Sequence, residues 1–220
     1  MVVAMPDIAA GIMAVTRIIF IQSLPLQNLF LHYLFGTMMS MRQKVIIFFR
    51  IVLILILVYI SVLSASGKEP GFLSALNLTF HEAGHPIFAI FGNDIGFLGG
   101  ALGQLIIPAI FSIYFLIYRN TYASLIMLWW FGDNLINISI YISDASTQTL
   151  PLIGGEHDWA YLLGKYHLLN SDAAIGGTVY DLGLSVMSIA IIFGAIAAIP
   201  ASKEYINRVF HRLSRTNMRR

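Results

Sequence analysis

Residues 45–63 run for nineteen positions with one charge, Arg50, and four further apolar stretches of similar character follow. An apolar run of about 20 residues is the length of helix that crosses the hydrocarbon core of a bilayer. Inside lipid, each backbone N–H and C=O must be satisfied within the protein, which leaves helices or closed barrels as spanning structures. The runs are too long for barrel strands and lack their alternation, so the fold class predicted is an all-α integral membrane protein. About five transmembrane helices are expected, at 45–63, 72–91, 95–118, 122–142 and 178–199, with a polar loop (143–177) between the fourth and fifth. Arg50 lies near one end of the first span, where a long side chain can snorkel to the interface.

Composition supports the same solvent. Hydrophobic residues make up 58% of the 220, charged residues only 11%, and the mean hydropathy is +0.78. No soluble domain of this size needs so much apolar surface. The absence of cysteine excludes disulfides and thiolate metal ligands. The net charge of +2 is small, but Lys203, Arg208, Arg212, Arg215, Arg219 and Arg220 crowd the end of the chain. Such a cluster suits an anionic membrane face, and nothing else in the chain supports a nucleic-acid site. Arg42 and Lys44 ask for a cytoplasmic N-terminus and the tail for a cytoplasmic C-terminus, which five spans cannot both satisfy. Residues 8–35 would supply a sixth span, and re-entry of the 143–177 loop is another solution. Met39-Ser-Met41-Arg42-Gln43-Lys44 before an apolar run resembles the start of a bacterial membrane protein. Three parts are therefore expected: an N-terminal segment 1–40, read as an over-extended start or a loosely held surface segment; a membrane-embedded domain, 41–202; and a basic tail, 203–220. The expected location is a bacterial inner (plasma) membrane.

Within the second apolar run stands His81-Glu82-Ala83-Gly84-His85. Two histidines four apart on a helix project from one face, one turn apart, so their imidazoles can share a tetrahedral Zn2+. Glu82 is then placed to take a proton from the water that such an ion activates. A blander reading is a helix start, since Thr79-Phe80-His81-Glu82 also spells a capping box. Two histidines and a glutamate at membrane depth are costly without a metal or water, which favours the metal. Pro86 removes the helical hydrogen bond to the Glu82 carbonyl and predicts a kink beside the ion.

A hydrolytic zinc needs a third protein ligand and one open position. The downstream candidates are few. Asp133 lies mid-span, Asp144 closes that span, and Glu156, His157 and Asp158 form a polar trio in the loop. His157 has the commonest ligand chemistry, and Asp158 could orient it. His167 reads as interfacial and Asp181 as a cap of the last span. Gly96/Gly100 and Gly99/Gly103 form two small-xxx-small patterns whose common meaning is close helix packing. Gln104 and Asn134 are intramembrane amides suited to bonds across helices.

An H-E-x-G-H motif on an early membrane helix, then a glycine-rich segment, then an acidic residue closing a span, resembles the site-2 protease family of intramembrane zinc metalloproteases. The resemblance is specific for residues 80–91 and loose over 72–160. It implies zinc-dependent hydrolysis of peptide bonds in membrane-protein or peptide substrates within the lipid bilayer, with His81 and His85 as ligands and Glu82 as general base. In that family a carboxylate two spans beyond the motif completes the zinc site, in an Asn-x-x-Pro…Asp-Gly pattern absent here. Its nearest counterparts are Asn137 with Asp144, and Pro151 with Asp158. Position then ranks Asp144 first as third ligand, with His157 next and Asp158 third. Two rivals stay open: a membrane metalloprotease of another architecture with Glu156 as third ligand, and a non-catalytic metal-binding or transport protein using Asp133, Asn134 and Gln104 along an ion path.

Overall fold

The computed structural model describes residues 41–151 and 156–199. The chain divides into two units, 1–45 and 46–220, and the second carries the candidate site. The expected N-terminal segment (1–40) and basic tail (203–220) lie outside the described residues. Among those described, the elements are α1 (Met41–Ala65), α2 (Gly71–Ala89), α3 (Asn93–Ile117), α4 (Thr121–Ser143), a short α5 (Asp158–Lys165), a 3-10 turn (Leu169–Ser171) and α6 (Asp172–Ala197). No strand occurs among them.

Among the described residues, four helices are long and apolar enough to cross a membrane: α1, α3, α4, and α6 with the turn before it, at mean hydropathies of 3.0, 2.0, 1.3 and 2.0. The described part of the chain is thus all-helical, of the kind that resides in a membrane. The expected span at 72–91 is present as α2, nineteen residues long. It falls outside the apolar class because Asn77, Thr79, His81, Glu82 and His85 dilute its hydropathy. The last helix starts at Asp172, six residues earlier than expected. Asp172 receives the backbone N–H of Ala173 at 2.6 Å and of Ser146 at 2.9 Å. Asp181 consequently lies exposed well inside α6 and caps nothing.

Local chemistry sets the boundaries. Pro70 precedes α2, and Gly92, at φ 108°, turns the chain from α2 into α3 in a conformation that a side chain would strain. The Asn120 side chain caps α4 by accepting from Ala123 N at 3.2 Å. Pro86 does not end α2, which continues to Ala89.

The core lies along α4. Trp129 and Ile136 of α4, Met187 and Ala190 of α6 and Leu57 of α1 form one buried cluster. Gly132 and Gly183 let α4 and α6 meet backbone to backbone: a Cβ on Gly183 would lie 2.8 Å from the Gly132 oxygen. α1 buries only a narrow stripe, Ile54, Leu57 and Ser64, and turns Phe48, Phe49, Leu55, Tyr59 and Val62 outward. That outward face is what lipid would solvate. The part-exposed Arg50 guanidinium reaches the Ala197 and Ala198 carbonyls at the end of α6, at 3.5 Å each, and lies 4.8 Å from the Tyr122 ring centroid. A cation at a helix C-terminus offsets the partial negative charge of its unpaired carbonyls.

Candidate metal centre

α2 carries the motif, and glycines decide how closely α3 approaches it. A Cβ on Gly84, the glycine inside the motif, would overlap the Gly99 carbonyl oxygen, and one on Gly103 would overlap the Phe80 oxygen. The two helices therefore touch through their backbones, which is the close packing that the small-xxx-small patterns predicted. The other glycines of those patterns serve the histidines. A Cβ on Gly100 would stand 2.5 Å from His81 Cε1, so that position must be empty for the ring to sit where it does. The Gly96 carbonyl accepts a hydrogen bond from His85 Nδ1 at 2.9 Å.

That bond places a proton on Nδ1, so Nε2 is the ring nitrogen left for a metal. His85 Nε2 faces Asp158 Oδ2 at 3.3 Å, and His81 Nε2 faces the same oxygen at 2.9 Å. One ligand atom from each of the three residues lies within 4.8 Å of the others. Two imidazole nitrogens and a carboxylate oxygen are a donor set suited to zinc. A second ring nitrogen bonded to a backbone carbonyl is the usual support for a metal-binding histidine. The residues fit a metal ion; they do not by themselves name the element.

Asp158 stands at the start of α5, and its neighbours explain how it reaches α2. His157 caps α5 by accepting from Ala160 N on its Nδ1 at 3.2 Å. It then carries its proton on Nε2, which faces Asp144 Oδ2 at 3.7 Å and makes no hydrogen bond. The other end of α5 is tied to α3: Tyr161 and Tyr166 donate to the Asp94 carboxylate at 3.1 and 2.8 Å, and the Tyr161 ring stacks on Phe97 at 3.9 Å. The exposed Lys165–Asp94 pair adds little.

Asp144, ranked first as third ligand, is used differently. It follows the last residue of α4, and its carboxylate gathers the following loop. Oδ1 accepts from Thr147 Oγ1 at 2.6 Å, Thr149 Oγ1 at 2.7 Å and Thr149 N at 2.9 Å; Oδ2 accepts from Leu150 N at 2.9 Å. Burial alone would raise its pKa, but these donors outweigh it and hold the carboxyl well below the usual carboxylate range. The arrangement groups Asp158 with His81 and His85. Asp144 stays with its loop, and His157 stands between Asp144 and the site. Glu156 is exposed on the cavity rim, and His167 sits at φ 58° in the turn after α5.

A cavity of about 720 Å³ opens over the group. His81, Glu82, His85 and Asp158 line it together with Leu78, Phe97, Ile138, Tyr141 and Trp159, and Gln104 and Asn137 add amides to its wall. Gln104 does bond across helices, donating to Asn137 Oδ1 at 3.3 Å, whereas Asn134 donates within its own helix to the Trp130 carbonyl at 2.9 Å. Behind Asn137 lies a polar cluster that sequence reasoning missed. Glu69, from the segment joining α1 and α2, accepts from Asn77 at 2.6 Å and from Asn137 at 3.0 Å, and Asp133 is 3.4 Å from Asn77 Nδ2. Asp133 thus joins Glu69 rather than the histidines. The mid-span position of Asp133 was a signal; Glu69, between Lys68 and Pro70, carried none.

Comparison with protein-family models, with curated proteins and with solved structures gives no match.

Proposed function

We propose that this chain is a membrane-embedded, zinc-dependent peptidase, similar in chemistry to the site-2 proteases and resident in a bacterial inner membrane. The observation that carries the reading is the convergence of His81 Nε2, His85 Nε2 and Asp158 Oδ2 beside a cavity that Glu82 also lines. His81, His85 and Asp158 would hold the ion, which leaves a coordination position open toward the cavity, as hydrolytic sites require. Zinc, when bound, acts as a Lewis acid that lowers the pKa of water and polarises a carbonyl. Glu82 takes the proton of the attacking water and returns it to the leaving amine. His85 is oriented through Gly96, and Asp158 would supply negative charge that offsets the ion's. The aromatic and aliphatic cavity walls favour an apolar, extended peptide segment over a charged one. In this reading α2 is a further membrane-depth helix that packs on α3 and turns His81, Glu82 and His85 to the cavity.

The test is zinc content and hydrolysis measured on the same preparations, with a membrane-protein substrate in liposomes. Glu82→Gln is expected to keep zinc and lose at least about 10²-fold in rate, the usual scale of a general base. Asp158→Ala is expected to lose both zinc and activity. Zinc-free wild-type protein, or full activity in Glu82→Gln, would reject the proposal.

A further inference from the structure

Glu69 and Asp133 are drawn together by one nitrogen. Asn77 Nδ2 lies 2.6 Å from Glu69 Oε1 and 3.4 Å from Asp133 Oδ2. Its orientation is set from the other side, since Trp130 Nε1 donates to Asn77 Oδ1 at 2.8 Å and turns the amide hydrogens toward the carboxyls. Asn137 gives Glu69 Oε2 a second donor. Among the described residues, neither carboxyl forms an ion pair with a Lys, Arg or His. The titratable groups that face Glu69 are Asp133 and Tyr141 of α4; Asp133 is faced by Glu69 and by the neutral Ser64 and Asn77. Asp133 is 1% exposed and its Oδ1 has no hydrogen-bond partner. Ser64 of α1, 3% exposed, points its equally unpartnered hydroxyl at Asp133.

Two carboxylates side by side, Asp133 buried and Glu69 half-buried, cannot both keep their charge without a cation. The amide donors can compensate one negative charge, not two. Asp133 Oδ1, the carboxyl oxygen left without a partner, is where one more hydrogen would be used. We propose that Glu69 and Asp133 form a proton-binding site, holding one proton between them at neutral pH and a single negative charge. Burial, and next the charge of Asp133, push the Glu69 carboxyl up to about 8. The inference is independent of the metal.

The retained charge also orients the cavity wall. Asn137 must turn its amide hydrogens to Glu69, so its oxygen faces Gln104, whose Nε2 donates to it at 3.3 Å. Gln104 Oε1 is left as an acceptor without a partner. A proton site behind the wall thereby sets the polarity of two amides that line the cavity.

The sign of the pH effect follows from the raised Glu69 value. Above about pH 5 the unfolded chain has both carboxyls ionised, while the native pair keeps its proton up to about 8. Stability from this site is complete below the unfolded carboxyl range and falls as pH rises, by up to about tenfold in the folding constant per unit.

Full-length protein in detergent micelles, titrated from mildly acidic to alkaline pH, provides the test through infrared difference spectra and melting curves. The expected result is a deuterium-sensitive C=O stretch of a protonated carboxyl that disappears as pH passes about 8. It should be missing from the Glu69→Gln/Asp133→Asn double variant, whose melting temperature should also lose the decline between about pH 5 and 8. Both substitutions keep side-chain volume and an oxygen acceptor. If the double variant does not assemble, Glu69→Gln alone decides: its lone Asp133 should titrate at a clearly different pH. The proposal is overturned if wild-type protein has no protonated carboxyl at neutral pH. It is equally overturned if band and pH slope survive in the double variant, if Glu69→Gln titrates as wild type does, or if sodium ions rather than protons stabilise the pair.

Discussion

Gly100→Ala places one methyl group directly against the proposed metal ligand His81. The new carbon would lie 2.5 Å from His81 Cε1 and 2.6 Å from Nε2, about 1 Å inside ordinary carbon contact. The helices cannot separate to make room without breaking the backbone contact of Gly84 with Gly99 and Gly103. The imidazole must move instead, and a displacement near 1 Å takes its Nε2 out of register with His85 and Asp158. Overpacking of this kind costs about 1–3 kcal/mol in stability, which leaves the bundle folded. Loss of ligand alignment should weaken zinc binding about 10–100-fold, the scale seen when the support of a metal ligand is removed. Turnover should fall by about 10²-fold. The assay is competition for zinc against a chromophoric chelator, with a melting curve on the same sample. Gly177→Ala, on α6, is the control: its new methyl group would meet nothing within 4 Å, and the change should stabilise that helix by about 0.5–1 kcal/mol. A folded Gly100→Ala protein that binds zinc as tightly as wild type would refute His81 as a ligand in this helix register.

Asp144→Ala leaves the Thr147, Thr149 and Leu150 donors without their acceptor, and should cost about 3 kcal/mol in thermal unfolding. Because that loop leads to Asp158, zinc affinity should also fall about tenfold, while Glu156→Ala should leave zinc content unchanged. The Asp144 carboxyl is held below its unfolded pKa, so its stabilisation is present above the ordinary carboxylate range and is lost as pH falls. Melting curves of Asp144→Asn should therefore show a flatter acid limb than wild type. Arg50→Met removes the cation from the end of α6 and should lower stability by about 0.5–1 kcal/mol; an unchanged melting temperature would show that its 3.5 Å contacts with Ala197 and Ala198 contribute nothing.

Much of the fold was legible because membrane helices announce themselves through runs of local sequence. Residues 45–63, 95–118 and 122–142 each correspond to a helix with ends displaced by a few residues. The start of α6 was missed because Asp172 pairs with the backbone of Ser146, twenty-six residues away, and nothing near Asp172 records that bond. His81 and His85 were legible as a pair since helical spacing alone puts them on one face. The partner grouped with them was not. Asp144, His157 and Asp158 have similar chemistry in sequence, and their roles separate only through where the loop turns and which donors each meets. Glu69 had no signal at all, since its surroundings come from α2 and α4.

The sequence by itself determined the helical class, the apolar solvent, the histidine pair with its adjacent glutamate, and the glycines that allow α3 to approach. These depend on composition and on periodicity within one helix. Only the tertiary structure decided that Asp158 faces the histidines, that Asp144 holds its own loop, and that Asp133 meets Glu69. The physical reason is that a carboxylate takes its role from the donors and charges around it, and here those arrive from helices distant in the chain.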